Sequence, residues 1–119
     1  MYPLTAKWTI LPGKRTEAIK VLKKLAEQVK ENEKETLAYL VNLPNAKAQN
    51  TVTPYDGEVT FFEIYKNEQA FMNHLNGSIF KDFVKDHGDL FLRDDKGQPY
   101  VIAENLDFEA GFIRENIIK

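Results

Sequence analysis

Residues 58–66 read Glu-Val-Thr-Phe-Phe-Glu-Ile-Tyr-Lys, and residues 67–75 continue Asn-Glu-Gln-Ala-Phe-Met-Asn-His-Leu. The change of period between the two decides the fold. Val59, Phe61, Glu63 and Tyr65 alternate with Thr60, Phe62 and Ile64, the period of two that marks a strand. Asn67 is a natural N-cap, and beyond it Phe71, His74 and Leu75 share one helical stripe. Gly77-Ser78 interrupts that helix. Ser78 then opens a second one, with Phe80, Phe83, Val84 and His87 on one face and Gly88 as its C′ stop.

Working outward, Thr36 to Leu43 is a strand with apolar residues on both faces, which predicts a central place in the sheet. The polar stretch from Pro44 to Gly57, with Pro54 and the turn pair Asp56-Gly57, is a long loop. The strands on either side of it should form an antiparallel hairpin. Near the start, Leu4, Ala6, Trp8 and Ile10 alternate with Thr5, Lys7 and Thr9 as a first strand ended by Pro12-Gly13. From Lys14 the apolar residues Ala18, Val21, Leu22, Leu25, Ala26 and Val29 recur at helical steps, and the helix ends near Glu33. Its lysines and glutamates form a solvated face. Downstream, the turn Asp94-Asp95-Lys96-Gly97 precedes a last strand from Pro99 to Leu106. The tail from Phe108 to Arg114 is compatible with extending the sheet or re-entering it.

The order is β-α-β-β-α-β, an α+β domain of ferredoxin-like topology with a four-stranded antiparallel sheet and helices on one face. Helices can cover only one sheet face, yet the strands are apolar on both. The uncovered face predicts a self-complementary homodimer.

Composition sets the outer bounds. The chain has 119 residues, a size for one domain spanning 1–119, with 43% hydrophobic and 29% charged residues. It has no cysteine, which excludes disulfides, thiolate metal sites and a cysteine nucleophile. The net charge of -2 comes from well-mixed signs, so no nucleic-acid partner is expected. The start lacks a signal-peptide pattern and no apolar run is long enough to span a membrane, so the expected location is cytoplasmic.

Four stretches carry a family resemblance: Trp8 to Glu17, Glu33 to Tyr39, Val59 to Leu75, and Ala110 to Arg114. The most specific is the run from Phe62-Glu63-x-Tyr65 through Ala70-Phe71-x-x-His74. Together they resemble the antibiotic biosynthesis monooxygenase superfamily of dimeric α+β barrels over nearly the whole chain. Lys34 and Glu35 depart from the proline and glycine common there. The resemblance implies a pocket between sheet and helices. It also implies a range of chemistries, from cofactor-free oxidation of quinols and phenols to haem degradation and isomerisation. Aligned with the haem-degrading branch, the asparagine, tryptophan and histidine of that branch fall at Ala6, His74 and Val84. None is kept, and Val84 cannot ligate iron.

The chain's only histidines, His74 and His87, lie on apolar stripes. An imidazole facing a dry pocket suits the removal of a proton from a phenol or quinol, and the electron-rich anion can then pass an electron to oxygen. His74 is the candidate base, at a position where the resembled family also has histidine. Its ordinary alternative is a half-buried residue bonded to backbone. His87 stands near a helix C-terminus, where a cation is favoured in any case. Tyr39 can donate a hydrogen bond to the substrate oxygen, and Trp8, Phe80 and Phe83 can wall an aromatic ring; core or dimer packing is the ordinary use of Trp8, Tyr39 and Tyr65.

Glu63, mid-strand between two apolar neighbours, is costly to bury unpaired. It serves either as a second acid/base group or, by preference, in an ion pair with Lys7 or Arg114. No metal-ligand spacing, glycine-rich dinucleotide turn or nucleophile elbow is present, so no metal and no cofactor are expected. Two functions follow: a cofactor-independent monooxygenase acting on a small quinol-like aromatic, or a non-oxidative barrel that binds or isomerises a small metabolite. An aromatic pocket holding His74 favours the first. A polar pocket joining His74 to Glu63 favours isomerisation, and an exposed His74 favours a non-catalytic domain.

Overall fold

The computed structural model describes residues 1–49, 51–52 and 55–114. Strand β1 (Tyr2–Thr9) leads through helix α1 (Arg15–Asn32) to β2 (Thr36–Asn42) and β3 (Glu58–Tyr65). Helices α2 (Glu68–Asn76) and α3 (Ser78–His87), a short 3-10 turn (Gly88–Leu90) and β4 (Ile102–Asn105) complete the chain. All pairings are antiparallel, in the order β2-β3-β1-β4, which is the ferredoxin-like arrangement the sequence predicts.

Side-chain alternation sorts the sheet into two faces. Leu4, Ala6 and Trp8 of β1 and Ile10 just beyond it, with Val59, Phe61, Glu63 and Tyr65 of β3, point toward the helices and are buried. Helix α1 lays Ala18, Leu22, Leu25 and Val29 on this layer. Trp8 is the hub, with its ring centroid 5.1 Å from that of Phe91, 5.7 Å from Phe61 and 6.0 Å from both Phe80 and Phe83. Asn67 caps α2 as expected, its side-chain oxygen accepting from the Ala70 amide at 2.9 Å. On the other sheet face Phe62 and Ile102 remain exposed.

Several expectations need correction. Among the described residues the strand Thr36–Asn42 is an edge strand, paired only with β3. Its two apolar faces arise because Tyr39 and Val41 pack on the helix side while Ala38 and Leu40 belong to the uncovered side. A register shift between Thr36 and Ala38 makes Leu37 an extra, exposed residue. Gly88 ends α3 with φ -61°, so the chain tightens into a 3-10 turn and takes no left-handed C′ stop. The final strand is shorter than expected. Pro99 bridges back to Arg93 in a hairpin built on Asp94, whose carboxylate accepts from the Lys96 and Gln98 amides. The tail Phe108 to Arg114 forms no strand. Within the loop from Pro44 to Gly57, Pro54 lies outside the described residues.

Candidate functional site

Between the sheet and α2–α3 lies a cavity of about 280 Å³. Its floor is Leu4, Ala6 and Trp8 of β1, Tyr39 of β2, and Phe61 and Glu63 of β3. Its roof is Phe71, His74 and Leu75 of α2 with Phe80 and Val84 of α3, and Gln98, Pro99, Val101 and Ala103 close one side. Opposite Ala6 in the ladder stands Ala103, so two small side chains on neighbouring strands leave the space open. The walls are mostly apolar, and among the described residues no lysine or arginine lines them. An apolar cavity with a few fixed polar groups is the architecture of a small-molecule pocket.

His74 comes to the cavity because the Asn67 cap starts α2 about two turns ahead of it, and its ring then faces inward with Ala70. The imidazole is 3% exposed and packs against Tyr39, Tyr65 and Phe80 at centroid distances of 5.4, 5.6 and 5.2 Å. Its Nδ1 lies 2.7 Å from Glu33 Oε1. Burial lowers the imidazole's pKa, and the Glu33 carboxylate opposes that shift through its charge and its hydrogen bond. A smaller pocket lies on the outer side, lined by Glu33, Lys34, Glu35, Thr36, Ala70, Asn73 and again His74.

Glu63 is buried and accepts a hydrogen bond from the Tyr65 hydroxyl at 2.5 Å. Burial pushes its carboxyl up to about 7, against the lowering effect of the Tyr65 bond, and Glu33 adds to the rise. The expected ion pair is not formed. Lys7 points to the opposite sheet face and binds Glu58 at 3.1 Å, while the Arg114 guanidinium lies over the Phe112 ring at 5.0 Å. Alternation along β1 explains the first: a residue facing Thr60 cannot reach the side that carries Glu63. Burial and the neighbouring Glu63 and Glu33 carboxylates hold the Tyr39 hydroxyl well above its ordinary pKa, so it is a hydrogen-bond donor at neutral pH. The Tyr65 hydroxyl shifts in the same direction.

The fold thus brings together Trp8, Tyr39, Glu63, His74 and Phe80. Phe83 and His87 do not line the cavity. Phe83 packs behind Trp8 and Phe91, and the His87 ring rests on Phe83 at 5.5 Å. Sequence reasoning missed Glu33, the donor role of Tyr65 and the side formed by residues 98–103. One signal for Glu33 was present: it is the C-cap of α1, where the helix dipole disfavours an acid. Among the described residues no three His, Asp or Glu side chains gather to hold a metal. The positions compared with the haem-degrading branch, Ala6, His74 and Val84, do line the cavity. They do not reproduce that branch's haem site, since Val84, at the position of its histidine, has no donor atom.

Residues 1–86 match the sequence profile of the family described as antibiotic biosynthesis monooxygenase. No curated protein matches the chain. Among solved structures, a candidate antibiotic biosynthesis monooxygenase from Caulobacter crescentus CB15 is similar at 23% identity and TM-score 0.72, over 92% of this chain and 90% of that one. An antibiotic biosynthesis monooxygenase is similar at 18% identity and TM-score 0.70, over 92% and 100%. Rv0793 from Mycobacterium tuberculosis is similar at 18% identity and TM-score 0.67, over 92% and 98%. At these identities the likeness to the structures establishes the fold. No described helix is long and apolar enough to cross a membrane.

Proposed function

The chain belongs to the antibiotic biosynthesis monooxygenase family, and from that premise we propose a cofactor-independent monooxygenase that acts in the cytoplasm, as a homodimer, on a small quinol-like aromatic. The observation that carries this reading is the aromatic-walled cavity with a buried imidazole on its roof. His74 takes a proton from the substrate hydroxyl, and Tyr39 donates a hydrogen bond to the resulting oxyanion. The anion gives one electron to molecular oxygen, and the radical pair combines to a peroxide that His74 reprotonates. Loss of water then leaves a carbonyl. Each turnover consumes one quinol and one oxygen molecule. One oxygen atom ends on the ring, and the other leaves as water with two hydrogens from the substrate. The apolar walls exclude water from the electron-rich anion.

Apolar side chains on the uncovered sheet face, among them Phe62 and Ile102, support two-fold pairing of two copies. A second reading, binding or isomerisation of a small metabolite, is favoured by Glu63, a proton-carrying group in the same cavity as His74. Among the described residues no cation lines the cavity, which argues against phosphorylated substrates for it. Oxygen uptake with a panel of hydroquinones and anthrones, without added cofactor, tests the choice. Uptake above autoxidation that falls by roughly 10²-fold in His74→Ala supports the oxygenase. No uptake by the unaltered protein across the panel transfers the assignment to the second reading.

A further inference from the structure

We infer that Glu33, joined to His74 across 41 residues of sequence, is the positioning residue that turns the His74 imidazole into a base aimed at the cavity. The inference rests on the role proposed for His74. An imidazole has one nitrogen to spare for the substrate only if the other is held as a donor. A carboxylate can only accept, so contact at 2.7 Å with Glu33 Oε1 assigns the hydrogen to Nδ1. Nε2 then carries the lone pair, and it makes no hydrogen bond to a described residue although the ring lines the cavity.

Glu33 is itself held in place. Its amide donates to the Val29 carbonyl at 2.9 Å, its carbonyl accepts from the Thr36 amide at 3.1 Å, and the Thr36 hydroxyl donates to Oε1 at 3.2 Å. Its side chain is 18% exposed, on the edge of the outer pocket, so the carboxylate keeps contact with solvent while His74 does not. The acid at the end of α1 therefore compensates for the basicity that burial removes from the imidazole.

The other titratable groups around the ring do not substitute for it. Tyr39 and Tyr65 face it with their rings, Glu63 is engaged by Tyr65, and Lys34 and Glu35 stand on the rim of the outer pocket.

Nitrogen-15 NMR of the His74 ring tests this without substrate, with His87→Gln used to assign the two histidines. In the unaltered protein, the neutral ring is expected to carry its hydrogen on Nδ1. In Glu33→Gln the His74 pKa is expected to fall by about one unit or more, and the acid limb of the oxygen-uptake profile should move the same way. A loss of packing alone would lower the melting temperature and leave the pKa in place. A neutral ring with its hydrogen on Nε2, or a pKa moved by less than about 0.3 unit, overturns the inference. The tautomer in the unaltered protein decides the matter even if Glu33→Gln does not fold. A chain that oxidises no quinol yet shows this tautomer and this shift supports the Glu33 assignment and overturns only the oxygenase reading.

Discussion

The Tyr65 hydroxyl lies 2.5 Å from Glu63 Oε1, two residues away on the same face of β3. Both side chains point to the helices, so the strand places an acid and its donor in the same dry layer. The hydroxyl has one hydrogen, and it is spent on the carboxylate. Glu63 nonetheless holds its own proton to a pH of about 7 because burial penalises its charged form and the Glu33 carboxylate adds to the rise.

Stability should therefore fall with rising pH on account of Glu63. Its carboxyl is raised from 4.5 to about 7, so the folded chain binds a proton that the unfolded chain has released. Its stabilising effect is whole below about 4.5 and lost as pH rises through about 7, a swing of about 3 kcal/mol. Lowered by burial, the His74 pKa acts in the opposite sense, with stability lost as pH falls below 6.5. Urea unfolding at pH 5 and pH 8 separates the two: Glu63→Gln should be the more stable protein at pH 8 and should lack this part of the slope. Equal pH dependence in both proteins would show that Glu63 does not carry it.

Cavity size is set by the Ala6–Ala103 pair across β1 and β4. Ala103→Phe should fill the space and raise KM for the accepted quinol by about 10-fold or more. Because Ala103 is exposed, stability should change by less than about 0.5 kcal/mol. Steady-state kinetics beside thermal unfolding checks both halves; an unchanged KM would place the substrate elsewhere.

Gly57 allows a close approach that a side chain forbids. A methyl group there would meet the Ile10 carbonyl oxygen at 2.7 Å and Tyr55 Cε2 at 2.8 Å, beside the 2.7 Å bond from the Ile10 amide to the Gly57 carbonyl. Gly57→Ala is expected to cost about 1–3 kcal/mol, read as a lower midpoint in urea with an unchanged slope.

The uncovered sheet face should respond to charge. Phe62→Lys places an ammonium group in the middle of that face, opposite Thr5 and beside Leu40. If two copies pair there, sedimentation should show a dimer for the unaltered protein and a monomer for the variant, with the same circular dichroism. A variant that stays dimeric would move the contact to another surface.

Element order, both ends of α1, the Asn67 cap and the β2–β3 hairpin were legible because they depend on local period and capping. The place of β2 was not. Apolar residues on both faces mean burial on both sides, and an edge strand of an uncovered sheet has the same composition as a central one. Trp8, Tyr39, Glu63, His74 and Phe80 could be singled out because each is an aromatic or ionisable side chain on the inward face of its element. Phe83 and His87 share the stripe of Phe80, and periodicity cannot tell which end of a stripe faces a cavity and which faces the core. Glu33 was hidden for a different reason. Its partner is 41 residues away, and an acid at a helix C-cap, though it runs against the dipole, does not reveal what it binds.

The strand that closes the cavity is held to the rest of the sheet by one ladder of four residue pairs, Leu4 to Lys7 against Ile102 to Asn105, with each of its own residues exposed. A molecule seated against Val101 and Ala103 adds contacts to the least anchored wall of the fold. Occupancy and docking of that wall are then coupled: any ligand that fits must slow amide exchange in residues 102–105, and any change that frays the strand must weaken binding by the corresponding factor.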